Sequence, residues 1–568
     1  MTSSWILGLN AFGFNTSAAL LRDAEIFAAV EEERLIREKK TRKFPVTSVR
    51  WLMKQAGIDW GDVSAVGIAW NPSINLESHN AAQSGRARYQ GELYYSAPSH
   101  LMMLRGDMAG EHTEQVLSFQ NGPPTRVIYV RHHFCHAAGF YFSPFDDAAI
   151  LTADAFGEKE STTFSIGTNN SIETVWAQEF PQSLGGYYSA LTEYLGFEPQ
   201  SDEWKLMGAS SYGDPQRYLP KLREMVRLTP DGGFELDLSY FNFYQFHRPL
   251  RYTRKLQALV GVAPNPKAKP LDQTYYDLAA GAQALFEEIY FHLLNQLYKR
   301  TKRKNLVVAG GCALNSAANG KILERTPFQN VFIPPVPDDS GGCLGAAYYV
   351  SHQIMGMARG SAMESNSLGP SHGETEIRET LTKYKVKHQK LDNVAAHTAG
   401  LLKAGKIIGW FQGRMEFGDR ALGNRSILAD PRDASMKDKV NETVKYREPF
   451  RPFAPSILVE HVDEYFKGAV ATPFMEKVFP VLESKRALIP AVVHVDGSGR
   501  LQTVSQKQNP LYYELIREFH KLTGIPIVLN TSFNLKGEAV VSSPTDALRT
   551  FFSSGLDALV LGSFLVEK

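Results

Sequence analysis

The chain has 568 residues, of which 43% are hydrophobic and 21% are charged, as is ordinary for a globular protein. This length predicts roughly three or four domain-sized units, or two large ones. There are 61 basic and 60 acidic residues, so no global charge attracts nucleic acid or an anionic membrane, and we expect neither partner.

The cysteines and the N-terminus indicate the compartment. Cys135, Cys312 and Cys343 are too few and too scattered for a disulfide framework, which favours a reducing environment. The N-terminus lacks the basic and long apolar regions of a signal peptide, and no apolar run reaches the ~18 residues that span a bilayer. We therefore expect an unprocessed cytoplasmic protein.

Two stretches share one pattern of a strand, a turn of small residues and a β-hairpin. The first spans residues 5–30 and the second spans residues 148–179. Used twice, this pattern is typical of the actin and sugar-kinase type of ATPase, which clasps nucleotide phosphates between two halves. Two unrelated hairpins are the alternative explanation.

Other segments help to place the domains. A buried strand from residue 305 breaks at Gly310 and Gly311 and opens a helix of small residues, where backbone amides would suit a nucleotide. Helical periodicity over 275–298 predicts a core helix. Residues 356–376 are poor in large apolar groups and predict a domain junction, followed by a helix at 393–404 and a strand at 407–411.

A metal site is predicted in the first half of the chain. His132 and His136 are four residues apart, so on a helix both imidazoles leave one face. A structural pair is the alternative, but Asp154 ends a strand nearby and Asp338 and Asp339 precede a small-residue helix. Two imidazoles and two carboxylates suit iron, manganese or zinc.

Two charged segments have open interpretations. Lys205 follows Asp202 and precedes a glycine-containing turn, so it either reaches a phosphate or forms a surface ion pair worth well under ~1 kcal/mol. The run over residues 31–43 is dense in charge, and such runs usually form a solvated face.

The loop at 409–432 presents arginines from a glycine-rich backbone, which suits paired hydrogen bonds to carboxylates or phosphates. A solvated basic loop is the alternative. Further polar and basic residues follow in separate segments, at 445–454, 494–503 and 530–534. So much positive charge predicts a site for more than one anion, such as a nucleoside triphosphate with an acyl or carbamoyl phosphate.

Several motifs together support a family resemblance. They are His132-His-x-x-His136, Ala309-Gly-Gly-Cys-Ala-Leu-Asn315, Gly413-Arg-Met-Glu-Phe-Gly-x-Arg420, Phe450-Arg-Pro-Phe-Ala-Pro455 and Leu529-Asn-Thr-Ser-Phe-Asn534. In this order, they resemble the NodU/CmcH family of carbamoyltransferases over nearly the whole chain. The resemblance implies an α/β protein with an N-terminal actin-like ATPase domain, duplicated and ribonuclease-H-like, and a C-terminal YrdC-like α/β domain. We place the domains at 1–355 and 386–568, joined by a linker at 356–385.

The resemblance also implies the reaction. Carbamoyl phosphate and ATP give carbamoyl-adenylate in the YrdC-like domain, and the metal-bearing domain transfers the carbamoyl group to a hydroxyl of a small molecule. The expected acceptor is a natural product such as an antibiotic or another secondary metabolite. The expected cofactors are ATP with Mg and a divalent metal, Fe(II) ahead of Mn or Zn, and a homodimer is a candidate assembly.

Site residues are carried over by motif. The metal would be held by His132, His136, Asp154 and one of two aspartates, with Asp339 preferred over Asp338. The adenylate cavity of the first domain would be lined by Lys39, Lys205, Gly310, Gly311 and Asn315. Carbamoyl phosphate and the ATP phosphates would be bound by Arg420, Lys445, Arg500 and Ser532, supported by Arg414, Arg451 and Asn530. The catalytic candidates are Lys39, His133, Arg420 and Lys445.

Two positions depart from the family pattern. Phe14 and Asn15 replace a histidine and an aspartate in the first loop, so the base for the acceptor hydroxyl is missing and His133 is the neighbouring substitute. Asp419 stands where proline is usual and could weaken the anion site. The missing base keeps a non-catalytic adenylate-binding protein open, and the shared domain types keep a tRNA threonylcarbamoyl-type enzyme open.

The acceptor pocket is the least defined part of the sequence. The aromatic segments 89–104 and 241–252 would suit a sizeable, partly apolar or sugar-bearing acceptor. Core packing explains the same aromatic residues equally well.

Overall fold

The computed structural model describes residues 3–11, 13, 15–71, 110–118, 122–245, 248–448 and 450–568. The chain forms two compact units. The first consists of Met1–Ala29 and Arg42–Met363, and the second consists of Val30–Thr41 and Glu364–Lys568. Within the described ranges, no helix combines the length and apolar character needed to cross a membrane.

The first sheet contains six strands within the described residues. They are β1 (Trp5–Asn10), β2 (Ser17–Arg22), β3 (Glu25–Glu31), β4 (Val63–Ile68), β5 (His112–Leu117) and β6 (Thr125–Val130). Their spatial order is β3-β2-β1-β4-β6-β5, with β2 antiparallel to β1, β4 parallel to β1, and β6 parallel to β4. The predicted strand and hairpin at 5–30 are therefore confirmed.

The second sheet repeats this arrangement. The next strands in the chain are β7 (Asp147–Ala153), β8 (Glu160–Thr168), β9 (Ser171–Glu179), β10 (Val226–Leu228), β11 (Phe234–Leu236), β12 (Asn305–Ala309) and β13 (Asn330–Phe332). The sheet order is β13-β12-β7-β8-β9, in which β7, β8 and β9 form an antiparallel meander. Strands β12 and β13 add in parallel beside β7. Five strands of the first sheet, β3-β2-β1-β4-β6, thus have the same topology as β9-β8-β7-β12-β13 of the second, and the predicted duplication is confirmed.

Small residues allow a buried helix, Gly342–Tyr349, to lie directly on the first sheet. A Cβ at Gly8 would lie 1.9 Å from the Cys343 carbonyl oxygen, and a Cβ at Gly67 would lie 2.7 Å from the Ala346 oxygen. Side chains at these glycines would therefore force the helix away from the sheet.

The other α-helices of the first unit surround the two sheets. They are Val46–Ala56, His132–Ala137, Leu184–Tyr194, Glu203–Ser210, Leu219–Arg223, Arg254–Val260, Gln273–Thr301, Ser316–Asn319 and Ile322–Arg325. The long helix Gln273–Thr301 covers the predicted core helix at 275–298 and buries Leu278, Leu285 and Ile289 as expected.

The second unit is built on one mixed nine-stranded sheet, as far as the described residues show. Its strands are β14 (Gln389–Lys390), β15 (Ile408–Phe411), β16 (Arg425–Ala429), β17 (Ala454–Leu458), β18 (Lys477–Pro480), β19 (Ser498–Val504), β20 (Ile527–Ser532), β21 (Ala558–Leu561) and β22 (Phe564–Glu567). The sheet order is β14-β22-β21-β15-β16-β20-β17-β19-β18. The α/β class predicted for both domains is confirmed.

Helices flank this sheet. They are Glu32–Ile36, Glu374–Lys383, Val394–Lys403, Met436–Val440, Val462–Tyr465, Glu483–Arg486, Pro510–Thr523 and Pro544–Phe552. The helix predicted at 393–404 and the strand predicted at 407–411 are therefore confirmed. Residues 364–385, which the sequence assigned to a linker, belong to the second unit and include one of its helices.

The charged run at 31–43 differs from the solvated face that the sequence predicted. Glu31 is fully buried, and Glu32, Glu33 and Arg34 are 2–4% exposed. These residues belong to the short segment Val30–Thr41, which packs within the second unit. Burial is possible because the charges pair with one another and with backbone groups.

Candidate functional site

A cluster of two imidazoles and two carboxylates lies in the first unit. The ring atom His132 Nε2 is 3.0 Å from His136 Nε2 and 3.1 Å from Asp154 Oδ2. Asp339 Oδ1 lies 3.4 Å from the same His132 atom and 3.8 Å from His136 Nε2. Ligands placed about 2.1 Å from a tetrahedral metal are about 3.4 Å apart, so these four donors fit one divalent ion.

Three backbone features bring the four donors together. His132 and His136 lie on one face of the helix His132–Ala137, Asp154 directly follows β7, and Asp339 begins a short turn before the helix Gly342–Tyr349. Asp339 rather than Asp338 belongs to the cluster.

Glu158 supports the start of the histidine helix, a role that the sequence did not reveal. Its buried carboxylate accepts hydrogen bonds from the backbone N–H of His132, at 3.0 Å, and of Asn71, at 2.6 Å. Burial raises the pKa of Glu158, although these bonds and the nearby His132 oppose the rise. The carboxylate satisfies an end group of the helix and fixes the position of the first histidine.

Glycines leave room beside the carboxylates. A Cβ at Gly311 would lie 2.8 Å from Asp154 Oδ1, and one at Gly13 would lie 3.0 Å from Asp339 Oδ2. Gly310 has a φ of +88°, and its Cβ would approach the Ala153 oxygen to 2.3 Å. The paired glycines after β12 are thus required by the packing beside Asp154, whether or not they also contact a nucleotide.

The charges of the cluster already favour a cation. Burial lowers the pKa of His132, but Asp339 and Asp154 outweigh this effect and raise it well above its usual range. Burial raises the pKa of Asp154, yet hydrogen bonds from His132 and His136 hold it well below its usual range. A metal ion would take the place of the proton that these groups share.

His133 lies beside the cluster with a fixed orientation. Its Nδ1 is 2.7 Å from Thr152 Oγ1, which in turn lies 2.6 Å from Thr163 Oγ1. Its Nε2 is buried and has no hydrogen-bond partner among the described residues. Burial, followed by the charges of His132 and His136, lowers the pKa of His133 well below its usual range, so the ring is neutral.

The predicted nucleotide contacts of the first unit have structural partners. Lys205 Nζ donates to Asp202 Oδ2 at 2.7 Å and lies near Phe197 and Trp204. Asn315 caps the helix Ser316–Asn319 and exchanges two hydrogen bonds with Gln283. Both side chains therefore stabilise the fold directly, and a nucleotide role for either stays a prediction.

Part of the first loop and the acceptor segments lie outside the described residues. Phe14, the segment 89–104 and positions 246–247 belong to this group. Asn15 is buried with a φ of +60°, and its Oδ1 has no hydrogen-bond partner within the described ranges. The position at which the family carries a base thus holds an uncharged amide or an apolar ring.

In the second unit, basic side chains gather into a group that we name the anion cluster: Arg420, Lys445, Arg447, Arg451 and Arg500. Burial is the main cause that lowers the pKa of Lys445 well below its usual range, and the positive charges of Arg447, Lys39 and Arg451 add to it. Burial, then Arg451, lower the pKa of Arg447 to about 9. Burial also lowers the pKa of Arg500, and the positive charges of Arg420 and Arg447 add to this shift. This mutual repulsion makes the cluster a strong site for anions.

The lysine of the anion cluster is held by oxygen atoms. Lys445 Nζ donates to the carbonyl oxygens of Ser532 and Asn534, to Asn534 Oδ1 at 2.9 Å and to Ser532 Oγ at 3.3 Å. Asn530 Nδ2 donates to Gln502 Oε1 at 3.0 Å, and its buried Oδ1 has no partner within the described residues. The predicted residues Lys445, Asn530 and Ser532 are thus neighbours on and beside β20.

Two arginines of the loop at 409–432 stabilise the loop itself. Arg425 is fully buried, donates to the carbonyls of Gln412, Gly413, Asn424 and Pro370, and lies 3.7 Å over the Phe411 ring. Arg414 donates to the carbonyls of Gly369 and Leu368. The sequence could not distinguish such inward-facing donors from anion-binding ones, and the supporting anion contact expected of Arg414 stays a prediction.

The segment 30–41 contacts the arginine loop at one residue, Gly418. Glu31 Oε1 accepts from Gly418 N at 3.0 Å, and Arg34 Nη2 donates to Gly418 O at 2.8 Å. Glu31 and Glu33 also pair with Arg34. We name this contact the Gly418 clamp. It fixes the backbone directly before Asp419 and Arg420.

Lys39 differs from its predicted position. It was expected in the adenylate cavity of the first domain, but its segment packs in the second unit. There it acts electrostatically on Lys445 and Asp419. Desolvation raises the pKa of Asp419, but Lys40, Arg420, Arg34 and Lys39 together lower it. Asp419 is therefore an anion among cations, and its expected weakening of the anion site stays a prediction.

Comparisons with known proteins match most of the chain. The family model described as Carbamoyltransferase N-terminus matches residues 5–348, and that described as Carbamoyltransferase C-terminus matches residues 399–568. An uncharacterised protein of Synechocystis is 37% identical over 99% of this chain and 96% of its own length. Nodulation protein NolNO of Sinorhizobium fredii is 37% identical over 98% of this chain and 80% of its own length.

A third relative, whose name states a carbamoyl-transfer reaction, matches a shorter part of this chain. The 3'-hydroxymethylcephem-O-carbamoyltransferase of Amycolatopsis lactamdurans is 31% identical over 54% of this chain and 58% of its own length. The two family models match parts of both compact units, and together they cover residues 5–348 and 399–568. The chain therefore belongs to the carbamoyltransferase family and is an enzyme that transfers a carbamoyl group.

Proposed function

We propose that the protein is an ATP-dependent O-carbamoyltransferase that modifies a hydroxyl group of a small natural product. The observation that carries this proposal is the presence of two different sites in one chain. One is the anion cluster of the second unit, and the other is the His132, His136, Asp154 and Asp339 group of the first. A reaction in two steps, one on phosphates and one on a hydroxyl, uses both.

The first step belongs to the second unit. Water hydrolyses carbamoyl phosphate to carbamate and inorganic phosphate, and a carbamate oxygen then attacks the α-phosphorus of ATP, so that pyrophosphate leaves and carbamoyl-adenylate forms. The anion cluster neutralises the phosphate oxygens of two substrates that would otherwise repel each other. Lys445 and Arg420 are the residues that we assign to this role, with Arg500, Arg451 and Ser532 in support.

The second step belongs to the first unit. The acceptor oxygen attacks the carbamoyl carbon, its proton passes to a base, and AMP leaves. A divalent metal held by the His132 group would polarise the adenylate as a Lewis acid, with Fe(II), Mn and Zn as candidates. His133 is neutral and presents an unpartnered Nε2 within the described residues, so it is our candidate for the base in place of the missing first-loop histidine.

Acceptor chemistry follows from the relatives. The cephem relative is named for carbamoyl transfer to a hydroxymethyl group of an antibiotic nucleus, and we extend the hydroxyl acceptor to this chain. Near-zero net charge makes a tRNA substrate the weaker alternative.

The test separates the two steps. The protein is incubated with carbamoyl phosphate, ATP, Mg²⁺ and a panel of alcohols, while pyrophosphate, AMP and a carbamoyl mass gain are measured. We expect His136→Ala to keep carbamoyl phosphate-dependent pyrophosphate release but to lose the carbamoylated product. Lys445→Met should lose both. If folded wild-type protein releases no pyrophosphate with any metal, the proposed function is wrong.

A further inference from the structure

The inference concerns His494, a residue next to the anion cluster that has no role in the steps above. His494 begins a tight turn, in which its backbone N–H donates to the Ser498 carbonyl at 2.7 Å and its carbonyl accepts from Gly497 N at 2.9 Å. Its side-chain Nε2 is buried and has no hydrogen-bond partner within the described residues. A buried imidazole nitrogen without a partner is costly for folding, so a ligand partner is a natural explanation.

The proton on the imidazole ring can be assigned from the neighbouring bonds. Ser498 Oγ lies 2.6 Å from Asp496 Oδ1 and 3.1 Å from His494 Nδ1. A hydroxyl has one proton, and the carboxylate can only accept, so the serine donates to Asp496. The same oxygen must then accept from His494, which places the N–H on Nδ1.

Nε2 is consequently an acceptor when the ring is neutral. Burial lowers the pKa of His494 to about 4; Asp496 opposes this shift, while Arg500 and Lys437 add to it. The ring is therefore neutral at physiological pH. A fixed Nδ1–H leaves a lone pair on Nε2 to which no described residue donates.

Strand β19 connects this lone pair to the anion cluster. Ser498, Arg500 and Gln502 alternate along the strand, so their side chains lie on one face. Gln502 Nε2 donates to the Leu422 carbonyl in the arginine loop, at 2.9 Å, and Gln502 Oε1 accepts from Asn530 Nδ2 at 3.0 Å. The serine that orients His494 and the arginine of the cluster thus share the face that packs on the arginine loop.

The chemistry of the proposed substrates selects the partner. The cluster supplies cationic donors for phosphate oxygens, but a lone pair needs an N–H or O–H donor close to a phosphate. In carbamoyl phosphate, one carbon and one ester oxygen separate the amide nitrogen from phosphorus. The triphosphate of ATP carries no such donor on its β- and γ-phosphates.

The geometry points to His494 as the residue that distinguishes carbamoyl phosphate from other acyl phosphates, by accepting a hydrogen bond from its –NH₂ group at Nε2. This inference rests on the proposed function, since it names a specificity contact for the same substrate. Ser498 is a positioning residue, because it fixes the proton on Nδ1. Acetyl phosphate has a methyl group in place of –NH₂ and cannot make this contact.

The experiment compares equilibrium binding of carbamoyl phosphate and acetyl phosphate to the full-length protein by calorimetry. Wild-type protein should prefer carbamoyl phosphate, and His494→Leu should reduce that preference at least about tenfold, since a site built for an N–H loses its discrimination with the acceptor. His494→Gln, whose Oε1 replaces Nε2, should retain part of the preference. Ser498→Ala should weaken it. The control is His397→Leu, at an exposed histidine on the helix Val394–Lys403.

The outcomes separate this inference from the proposed function. An unchanged ratio of the two affinities in a folded His494→Leu protein overturns the inference, as does a loss confined to ATP affinity, which would assign Nε2 to the nucleotide. Pyrophosphate release is measured in parallel on wild-type protein. If that release is absent while the His494-dependent preference is present, the proposed function fails and the specificity contact stands.

Discussion

At the scale of single residues, Gly311 connects backbone packing to the metal cluster. A Cβ at this position would lie 2.8 Å from Asp154 Oδ1, which is closer than real Cβ contacts. We expect Gly311→Ala to displace the carboxylate and to lower bound metal, measured by elemental analysis after dialysis. Mutation of a group that orients a metal ligand typically lowers metal affinity about 10–100-fold, and we expect a loss of this order.

A matched glycine controls for the effect of the added methyl group. Gly400 lies in the helix Val394–Lys403, and a Cβ there meets nothing within 4 Å. Gly400→Ala should leave metal content unchanged and stabilise the protein by up to about 1 kcal/mol through helix propensity. Equal metal content in both variants would show that Asp154 does not need the space beside Gly311.

We expect anion binding to be coupled to protonation of Lys445. Burial and neighbouring cations hold its pKa well below the usual range, whereas Arg447, whose pKa is lowered to about 9, stays mostly protonated below pH 9. A bound phosphate favours the ammonium form and raises this pKa, so binding should take up protons at pH values above the lowered pKa. Affinity should accordingly fall as pH rises through that value.

Calorimetry in buffers of different ionisation enthalpy measures this proton uptake at pH values below 9, where Arg447 stays mostly protonated. Lys445→Arg keeps a positive charge that does not titrate, so it should bind phosphate or carbamoyl phosphate without proton uptake. Proton uptake of equal size in the wild-type and arginine proteins would assign the titration to another group.

At the scale of elements, the loop before β16 is stabilised by an inward-facing arginine. Arg425 is fully buried and donates to four backbone carbonyls, those of Gln412, Gly413, Asn424 and Pro370. Arg425→Met would leave these acceptors unsatisfied, so we expect the free energy of unfolding to fall by about 3 kcal/mol or more. Urea denaturation measures this loss.

Arg517, on the helix Pro510–Thr523, is the control for the loss of an arginine charge. It pairs with Glu514 at 2.7 Å, and nearly half of its side chain is exposed. Arg517→Met should therefore leave the free energy of unfolding almost unchanged, because exposed ion pairs contribute little to stability. A similar cost for both variants would mean that the buried carbonyls find water when Arg425 is removed.

Local patterns predicted the parts of each site that depend on neighbours in sequence. The four-residue spacing of His132 and His136 is a property of one helix, and the strand before Asp154 was visible in its apolar run. Whether a charged side chain faces inward depends on partners far along the chain. Glu31 contacts Gly418, which is 387 residues away, and no periodicity near Glu31 contains that information.

At the scale of the whole molecule, the second unit is discontinuous in sequence. Its main part, Glu364–Lys568, is completed by Val30–Thr41, which enters at the end of β3. Through the Gly418 clamp this segment holds the loop that carries Arg420. Arg37 adds a hydrogen bond to the Ala539 carbonyl at 2.8 Å. A division of the chain at its midpoint would therefore separate the anion cluster from part of its support.

This discontinuity predicts complementation between two pieces. A fragment of residues 364–568 should unfold at a lower temperature alone than with a synthetic peptide of residues 30–41, because a ligand that binds only the folded state stabilises it by mass action. A peptide carrying Glu31→Ala and Arg34→Ala loses the clamp and should give no shift in unfolding temperature at the same concentration.

The affinity of the fragment for phosphate is the second measurement. It should rise when the wild-type peptide is added but not when the variant peptide is added, since the clamp orders the backbone before Arg420. A fragment that binds phosphate equally well with either peptide would mean that the anion cluster is organised entirely by residues 364–568, and that the clamp serves stability without positioning Arg420.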